Sequence, residues 1–279
     1  MDFTGYIGGL KELAAIANKR EEGDYEKDGL LFCGKCHTPK QAMVMLLGVY
    51  DKVSIQCDCS KKRRDAEREA WEREKRAEYV KRLRAEAFPD SRMGSWTFEQ
   101  DDGANPISQA MKQYAENFDV IKKNPVNGLI LYGATGTGKS FLAACIANRI
   151  IDRGIPVLMT SFDRIRNELD QRKGTRQDYF DYLAHIPLLV LDDLAAESSV
   201  GYMKEIVFGV INARAQSGLP LIITTNMTSA ELKKPANEES NRVFSRILGM
   251  CQPIEIKGDD RRHDTLRNGS RALMDIIGL

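Results

Sequence analysis

The residues best suited to chemistry lie at 133–140, where Gly133-Ala134-Thr135-Gly136-Thr137-Gly138-Lys139-Ser140 follows an apolar run and precedes a helical pattern. Glycines at this spacing let the backbone curl with its N–H groups pointing inward, and the following helix adds its positive N-terminal end. The chemistry is polyphosphate binding, with Lys139 bridging the β- and γ-phosphates and the Ser140 hydroxyl ligating Mg²⁺. The nucleotide-binding set is read as Gly133 to Ser140 together with Phe141, for ATP or ADP. Leu188-Leu189-Val190-Leu191-Asp192-Asp193 is an apolar strand ending in two carboxylates, which is costly without a nearby cation. Asp192 is expected to hold Mg²⁺ through water and Asp193 to polarise the attacking water. Leu221-Ile222-Ile223-Thr224-Thr225-Asn226 is a third strand with a polar end. It offers Thr225 or Asn226 to the γ-phosphate, and Asn226 is the better water-orienting group because its amide both donates and accepts.

Two further sets invite a role. Arg242 and Arg246 are four residues apart on one predicted helix face, suited either to solvent or to the γ-phosphate of a neighbouring subunit. Arg261 and Arg262 follow the last predicted strand, where they could sense nucleotide in the same subunit. Near the N-terminus, Cys33-Gly-Lys-Cys36 and Cys57-Asp-Cys59 form C-x₂-C and C-x-C pairs separated by 20 residues. Four thiolates suit a closed, structural Zn²⁺ site in a region too small for a large core. His37 replacing one cysteine, an iron–sulfur cluster and four unrelated buried thiols are the alternatives. Cys145 and Cys251 fall within the helix–strand pattern and are expected in the core.

These residues must be positioned by a chain of 279 residues, 42% hydrophobic and 29% charged, enough for about two domains with real cores. The balance of 41 basic against 40 acidic residues, net +1, gives no global sign of a polyanion partner. No apolar stretch approaches a membrane span, and the first residues lack a secretory pattern, so the cytoplasm is expected and the cysteines read as metal ligands rather than disulfides. Three regions follow: a zinc-binding, partner-binding domain over 1–59 with a short helical pattern at Leu10–Ala17, a charged helical linker over 60–87, and an ATPase domain over 88–279. The linker has no Gly or Pro and carries 11 basic and 7 acidic residues, a local net of +4. Its acid-first spacings, such as Glu69–Arg73 and Glu72–Arg76, favour helix. It is read as a solvated connector, or as an arm contacting a partner or DNA.

From 128 onward, strands at 128–132, 156–160, 188–191, 220–225 and 253–257 alternate with helices at 140–151, 163–171, 177–184, 202–215 and 241–249. Alternation of this kind predicts an α/β fold with a parallel sheet covered on both faces. The Leu221 strand is expected between the phosphate-loop strand and the acidic strand.

With these motifs in place, residues 88–262 resemble the DnaC/DnaI family of bacterial replicative helicase loaders, AAA+ P-loop ATPases with an IstB-like core. The resemblance rests on Thr97-Phe98-Glu99, the loop Gly133–Ser140, Asp192-Asp193, Thr224-Thr225-Asn226, Arg242-Val-Phe-Ser-Arg246 and Gly258-Asp-Asp-Arg-Arg262. It implies a slow, switch-like ATPase, since Asp193 stands where most AAA+ proteins carry a longer Glu. It makes Arg246 the first choice for the arginine finger, Arg242 the second, and Arg262 a second nucleotide sensor. The implied partners are a replicative DNA helicase, single-stranded DNA and further copies of the chain in a nucleotide-dependent oligomer, with no membrane. The competing readings are an IstB-type ATPase assisting transposition or recombination, and a zinc-dependent DNA-binding module. Phe162, Tyr179, Phe180 and Tyr182, close to Arg164, Arg166, Arg172 and Lys173, are candidates for a single-strand contact or for core.

Overall fold

The computed structural model describes residues 20–46, 48–101, 106–171, 174–194, 201–233, 238–260, 274 and 276–277. The Leu10–Ala17 pattern, Arg172, Lys173, Arg261 and Arg262 lie outside them. Contacts divide the chain into two compact units between Ala77 and Glu78.

The first unit contains two small antiparallel sheets. Strands β1 (Tyr25–Lys27) and β2 (Leu30–Phe32) form one, and β3 (Gln41–Leu46) and β4 (Val49–Ser54) form the other. The β3–β4 hairpin, unassigned from sequence, keeps Met43, Met45, Val49 and Tyr50 exposed. Helix α1 runs Asp58–Ala87. It starts two residues earlier than expected, with Asp58 against the positive end of its dipole and Cys59 already in its first turn. The division between the units falls within this helix. Residues beyond it belong to the second unit, where Leu83 and Ala87 are buried with Met111, Tyr114 and Phe118.

The second unit is built on a five-stranded sheet in the order β6-β7-β8-β5-β9, with every pairing parallel. Its strands are β5 (Gly128–Tyr132), β6 (Val157–Thr160), β7 (Leu188–Leu191), β8 (Leu221–Thr225) and β9 (Cys251–Glu255). As expected, β8 lies between the acidic strand β7 and the phosphate-loop strand β5. Strand β9 is set two residues earlier than the sequence suggested. Cys251 pairs with Gly128 at the start of β5, and its Sγ lies 3.4 Å from the Leu221 carbonyl oxygen.

Period-two alternation sends neighbouring strand residues to opposite faces. Leu129, Leu131, Leu188, Val190 and Ile222 enter one core with α2 (Ser108–Glu116), the short α3 (Phe118–Ile121) and α4 (Lys139–Ile151). Ile130, Leu189, Leu191, Leu221 and Ile223 enter the other, with α5 (Phe162–Gln171), α6 (Arg176–His185), α7 (Gly201–Ser217), α8 (Ser229–Lys233) and α9 (Glu238–Met250). A parallel sheet buried on both faces therefore needs continuous apolar strands, and β7 is buried along its whole length. Cys145 and Cys251 are each 1% exposed and belong to these cores. Among the described residues, no helix is long and apolar enough to cross a membrane.

One buried cation holds the second face. Arg214 on α7 is 0% exposed and donates to the carbonyls of Leu183 (3.2 Å), Ala184 (3.0 Å), Ile186 (2.6 Å), Pro187 (3.4 Å) and Pro220. It thereby caps the C-terminal carbonyls of α6 and the turns into β7 and β8, while burial pulls its pKa down to about 10. Arg214→Met would strand these acceptors in the core. It is expected to lower unfolding stability by about 3–5 kcal/mol, checked by urea unfolding followed by circular dichroism; a loss under about 1 kcal/mol would show the carbonyls are satisfied otherwise.

Candidate nucleotide and metal sites

The loop joining β5 to α4 is shaped by close backbone approaches. Gly133 has φ +143, and a Cβ there would meet the Ile256 carbonyl oxygen at 2.4 Å, so only glycine fits. The Thr137 hydroxyl donates to the Ala134 carbonyl at 2.9 Å. Lys139 is 7% exposed, and its Nζ lies across the loop, donating to the carbonyls of Gly133 (2.9 Å) and Ala134 (2.6 Å). The Asp260 carboxylate lies against Gly136. The segment after β9 therefore reaches the loop, although Arg262 itself is outside the described residues. Phe141 packs on Trp96 with ring centroids 5.9 Å apart. The Trp96 segment is fastened to α4 by Asn148, whose Nδ2 donates to the carbonyls of Met93 (2.8 Å) and Trp96 (2.9 Å).

The parallel register brings the ends of β5, β7 and β8 together. Ser140 Oγ donates to Asp192 Oδ1 at 2.7 Å. Asn226 Nδ2 donates to Asp193 Oδ1 at 3.1 Å. Asp193 is exposed and holds φ 57, a left-handed conformation uncommon for a non-glycine residue and frequent at functional turns. A hydroxyl between them was not anticipated: Thr224 Oγ1 accepts the Asp193 N–H at 2.8 Å and donates to Asp192 Oδ1 at 2.6 Å. Thr225, offered by the sequence as an alternative to Asn226, is 0% exposed. Its hydroxyl donates to the Leu194 carbonyl at 2.6 Å. Strand alternation turns Thr225 into the core and leaves Asn226, beyond the strand, at the surface. The cluster joins a hydroxyl and carboxylate able to share a divalent cation with a second carboxylate and an amide able to orient water.

Arg242 and Arg246 are both exposed on α9. The Arg246 guanidinium lies 4.9 Å from the centroid of the Phe208 ring on α7. Of the proposed single-strand aromatics, Phe162 (3% exposed), Tyr179 (5%) and Phe180 (6%) belong to the core, and Tyr182 alone is exposed.

In the first unit, the Sγ atoms of Cys33, Cys36, Cys57 and Cys59 all lie within 4.8 Å of one another. Cys59 Sγ is 3.5 Å from Cys33 Sγ and 3.4 Å from Cys57 Sγ. A tetrahedron of Zn–S bonds near 2.3 Å places sulfurs about 3.8 Å apart, so the four fit this ion. The donor chemistry agrees. Backbone N–H groups of Cys36 and Lys35 lower the Cys33 pKa, and the Thr38 hydroxyl and backbone amides bring Cys36 down to about 5. Crowding by the other three sulfurs pushes Cys59 up to about 12. So many sulfurs cannot all ionise together without a cation. His37, the alternative ligand, is not part of this cluster; its ring rests near Tyr25, centroids 5.8 Å apart.

An ion pair supports the Cys33–Cys36 knuckle. Asp24 Oδ2 is 2.6 Å from Lys40 Nζ, and its Oδ1 accepts the Gly34 N–H at 3.0 Å. Lys40 and the Glu21 and Gly34 amides hold the Asp24 pKa at about 2. A Cβ on Gly34 would meet the Gly23 carbonyl oxygen at 2.2 Å, so the knuckle closes only with glycine at this position.

The family model described as IstB-like ATP binding protein matches residues 64–269. The replicative helicase loader DnaI of Bacillus subtilis (strain 168) is 32% identical over 183 residues, 60% of this chain and 58% of its own length. The replicative helicase loader DnaC of Escherichia coli (strain K12) is 29% identical over 157 residues, 55% of this chain and 61% of its own. The chain thus spans less than two thirds of the length of these curated relatives. A solved structure described as the crystal structure of the DnaI aligns with a TM-score of 0.53 at 27% identity, covering 64% of this chain and 99% of that one. With a family match over about three quarters of its length, and with the phosphate loop, acidic strand and polar-ended strand together at one end of a parallel sheet, the chain belongs to the IstB-like ATP-binding protein family.

Proposed function

We propose that the chain is an ATP-hydrolysing loader that delivers a replicative DNA helicase onto single-stranded DNA, as the names of its relatives DnaI and DnaC indicate for those proteins. The observation that carries the ATPase reading is the Ser140–Asp192–Thr224–Asp193–Asn226 chain of hydrogen bonds beside the loop. Backbone N–H groups of 133–138 receive the phosphates, Lys139 bridges the β- and γ-phosphates, and Phe141 supports the nucleoside side. Ser140 and Asp192 hold Mg²⁺, which neutralises charge on the phosphate oxygens when bound. Thr224 fixes Asp192 and the Asp193 backbone relative to each other. Asp193 accepts a proton from water oriented by Asn226 and passes it to solvent. Arg246, or Arg242 in its place, enters from a neighbouring copy, and Arg262 senses nucleotide from the segment after β9. An aspartate reaches less far than a glutamate, which suits slow hydrolysis and a switch.

Zn²⁺, held by Cys33, Cys36, Cys57 and Cys59, supplies cross-linking to the first unit. The exposed apolar residues Met43, Met45, Val49 and Tyr50 then form a surface of the sort that binds another protein, here the helicase. An IstB-type role in transposition is the second reading, resting on the resemblance to IstB-type ATPases, whose family model is the one matched. ATP-dependent filaments on duplex DNA without helicase binding would favour it.

Asp193→Asn is expected to lower ATP turnover about 100-fold while leaving ATP affinity within about threefold, since the amide keeps its shape but no longer accepts a proton. Phosphate release and isothermal titration calorimetry read the two quantities; equal turnover in both proteins would remove Asp193 from the chemistry.

A further inference from the structure

Helix α1 carries a feature that nucleotide hydrolysis does not use. Residues 61, 64, 68, 71 and 75 recur at three- and four-residue steps and so line one side of the helix. They are Lys61, Arg64, Arg68, Trp71 and Lys75, and all five are exposed. At 1.5 Å per residue the row is about 21 Å long. Trp71 is 55% exposed, with Lys75 Nζ 4.0 Å from its ring centroid. Asp65 and Glu72 border the row at the same three- and four-residue steps, Glu67 and Glu74 border it on the other side, and Glu69 lies further round the helix. Arg68 leans toward two of them, 3.4 Å from Asp65 and 3.9 Å from Glu72. Pairs this exposed are weak and exchange readily with another anion.

An apolar helix cannot be the occupant, because a seam of like charges opposes coiled-coil packing. The row combines cations spaced along a line with a planar aromatic between them, and a strand of nucleic acid answers both features. Its phosphates repeat along a line and its unpaired bases present flat faces. We propose that the Lys61–Lys75 face of α1 is a single-stranded nucleic-acid site, with Lys61, Arg64, Arg68 and Lys75 on phosphates and Trp71 stacked on a base. An acidic protein surface satisfies the cations but leaves the indole without a planar partner, and a duplex keeps its bases stacked on one another. The inference adds a location to the single-strand contact in the proposed function, and its failure would leave nucleotide-dependent helicase binding untouched.

The test uses the full chain and a fluorescein-labelled thymidine 20-mer, read by anisotropy over a range of KCl, with a duplex of equal length as the second arm. Arg64→Gln/Arg68→Gln/Lys75→Gln removes three charges from the row. Lys62→Gln/Arg73→Gln/Arg76→Gln removes three from another side of the same helix, and circular dichroism checks that both remain helical. The row variant is expected to weaken single-strand binding at least 10-fold and to flatten the slope of log affinity against log salt by about 2; the control variant stays within threefold. Trp71 is one of two tryptophans, so the oligonucleotide should quench emission of the wild type and lose most of that quenching in Trp71→Phe. Equal losses in the two triple variants would overturn the site, as would quenching unchanged by Trp71→Phe. A tighter complex with duplex would overturn it too, as would a row variant that keeps its DNA affinity but binds a helicase less well.

Discussion

Lys139→Ala is expected to lower ATP turnover at least 100-fold and ATP affinity at least 10-fold. Lys139 is 7% exposed and its ammonium is held by the Gly133 and Ala134 carbonyls at 2.9 and 2.6 Å, so its place across the loop is set by the loop itself. It is the cation that the geometry offers to the β- and γ-phosphates, and a charge aimed at a transferring phosphoryl group in a dry site contributes on the scale of about 10²–10³ in rate. Arginine is no substitute, because its planar fork is larger than the ammonium and cannot sit between those two carbonyls in the same way. Lys139→Arg should therefore fail nearly as badly as Lys139→Ala. Both variants should remain folded, since α4 is anchored by Leu142, Ile146 and Ile150, each nearly inaccessible. Phosphate release gives the rate and calorimetry the affinity; turnover within threefold of wild type would place the hydrolytic site elsewhere.

Removing metal is expected to unfold the first unit and leave the second intact. The described part of the first unit holds two two-stranded sheets, and isolated hairpins are marginal in water. Its buried apolar side chains are few, chiefly Leu31 beside Cys33 and Cys57. Against this, a structural Zn²⁺ contributes on the order of 10–16 kcal/mol to the folding of small units. The Asp24–Lys40 pair and the Gly34 N–H orient the knuckle but cannot replace the cross-link. A strong chelator should release about one zinc per chain, and the region around 20–57 should become protease-sensitive. ATP turnover should stay within twofold. Cys36→Ser and Cys57→Ser should each reproduce the loss without chelator. A first unit that keeps its protease resistance with less than a tenth of an equivalent of bound metal would contradict the assignment.

Much of the second unit is legible in the chain because its signals are local. Continuous apolar runs mark buried strands, glycines mark the loop, and the order of the motifs places β8 between β5 and β7. What escaped sequence reasoning depends on partners distant in the chain. Nothing near Arg214 says that it meets carbonyls at 183, 184, 186, 187 and 220. Thr224 and Thr225 are adjacent and chemically alike, and strand alternation alone decides that Thr224 joins Asp192 while Thr225 turns into the core. Phe162, Tyr179 and Phe180 looked equally suited to bases or to packing, and the helical faces of α5 and α6 bury them. In the first unit the four cysteines carried a spacing signal. Asp24 and Lys40 did not, since a buried ion pair 16 residues apart leaves no local pattern. The β3–β4 hairpin also passed unseen, its apolar residues facing solvent rather than a core.

In the proposed function, nucleotide in the 133–140 loop controls the grip on a second macromolecule. This control is tested most directly by size-exclusion chromatography with light scattering on the full chain mixed with a replicative helicase, with ATP, with ADP and with neither. A complex whose mass or yield differs at least threefold between ATP and ADP is expected, together with a Lys139→Ala chain whose complex ignores the nucleotide. A chain that binds ATP but never co-elutes with the helicase, or that co-elutes equally in all three conditions, would contradict nucleotide control.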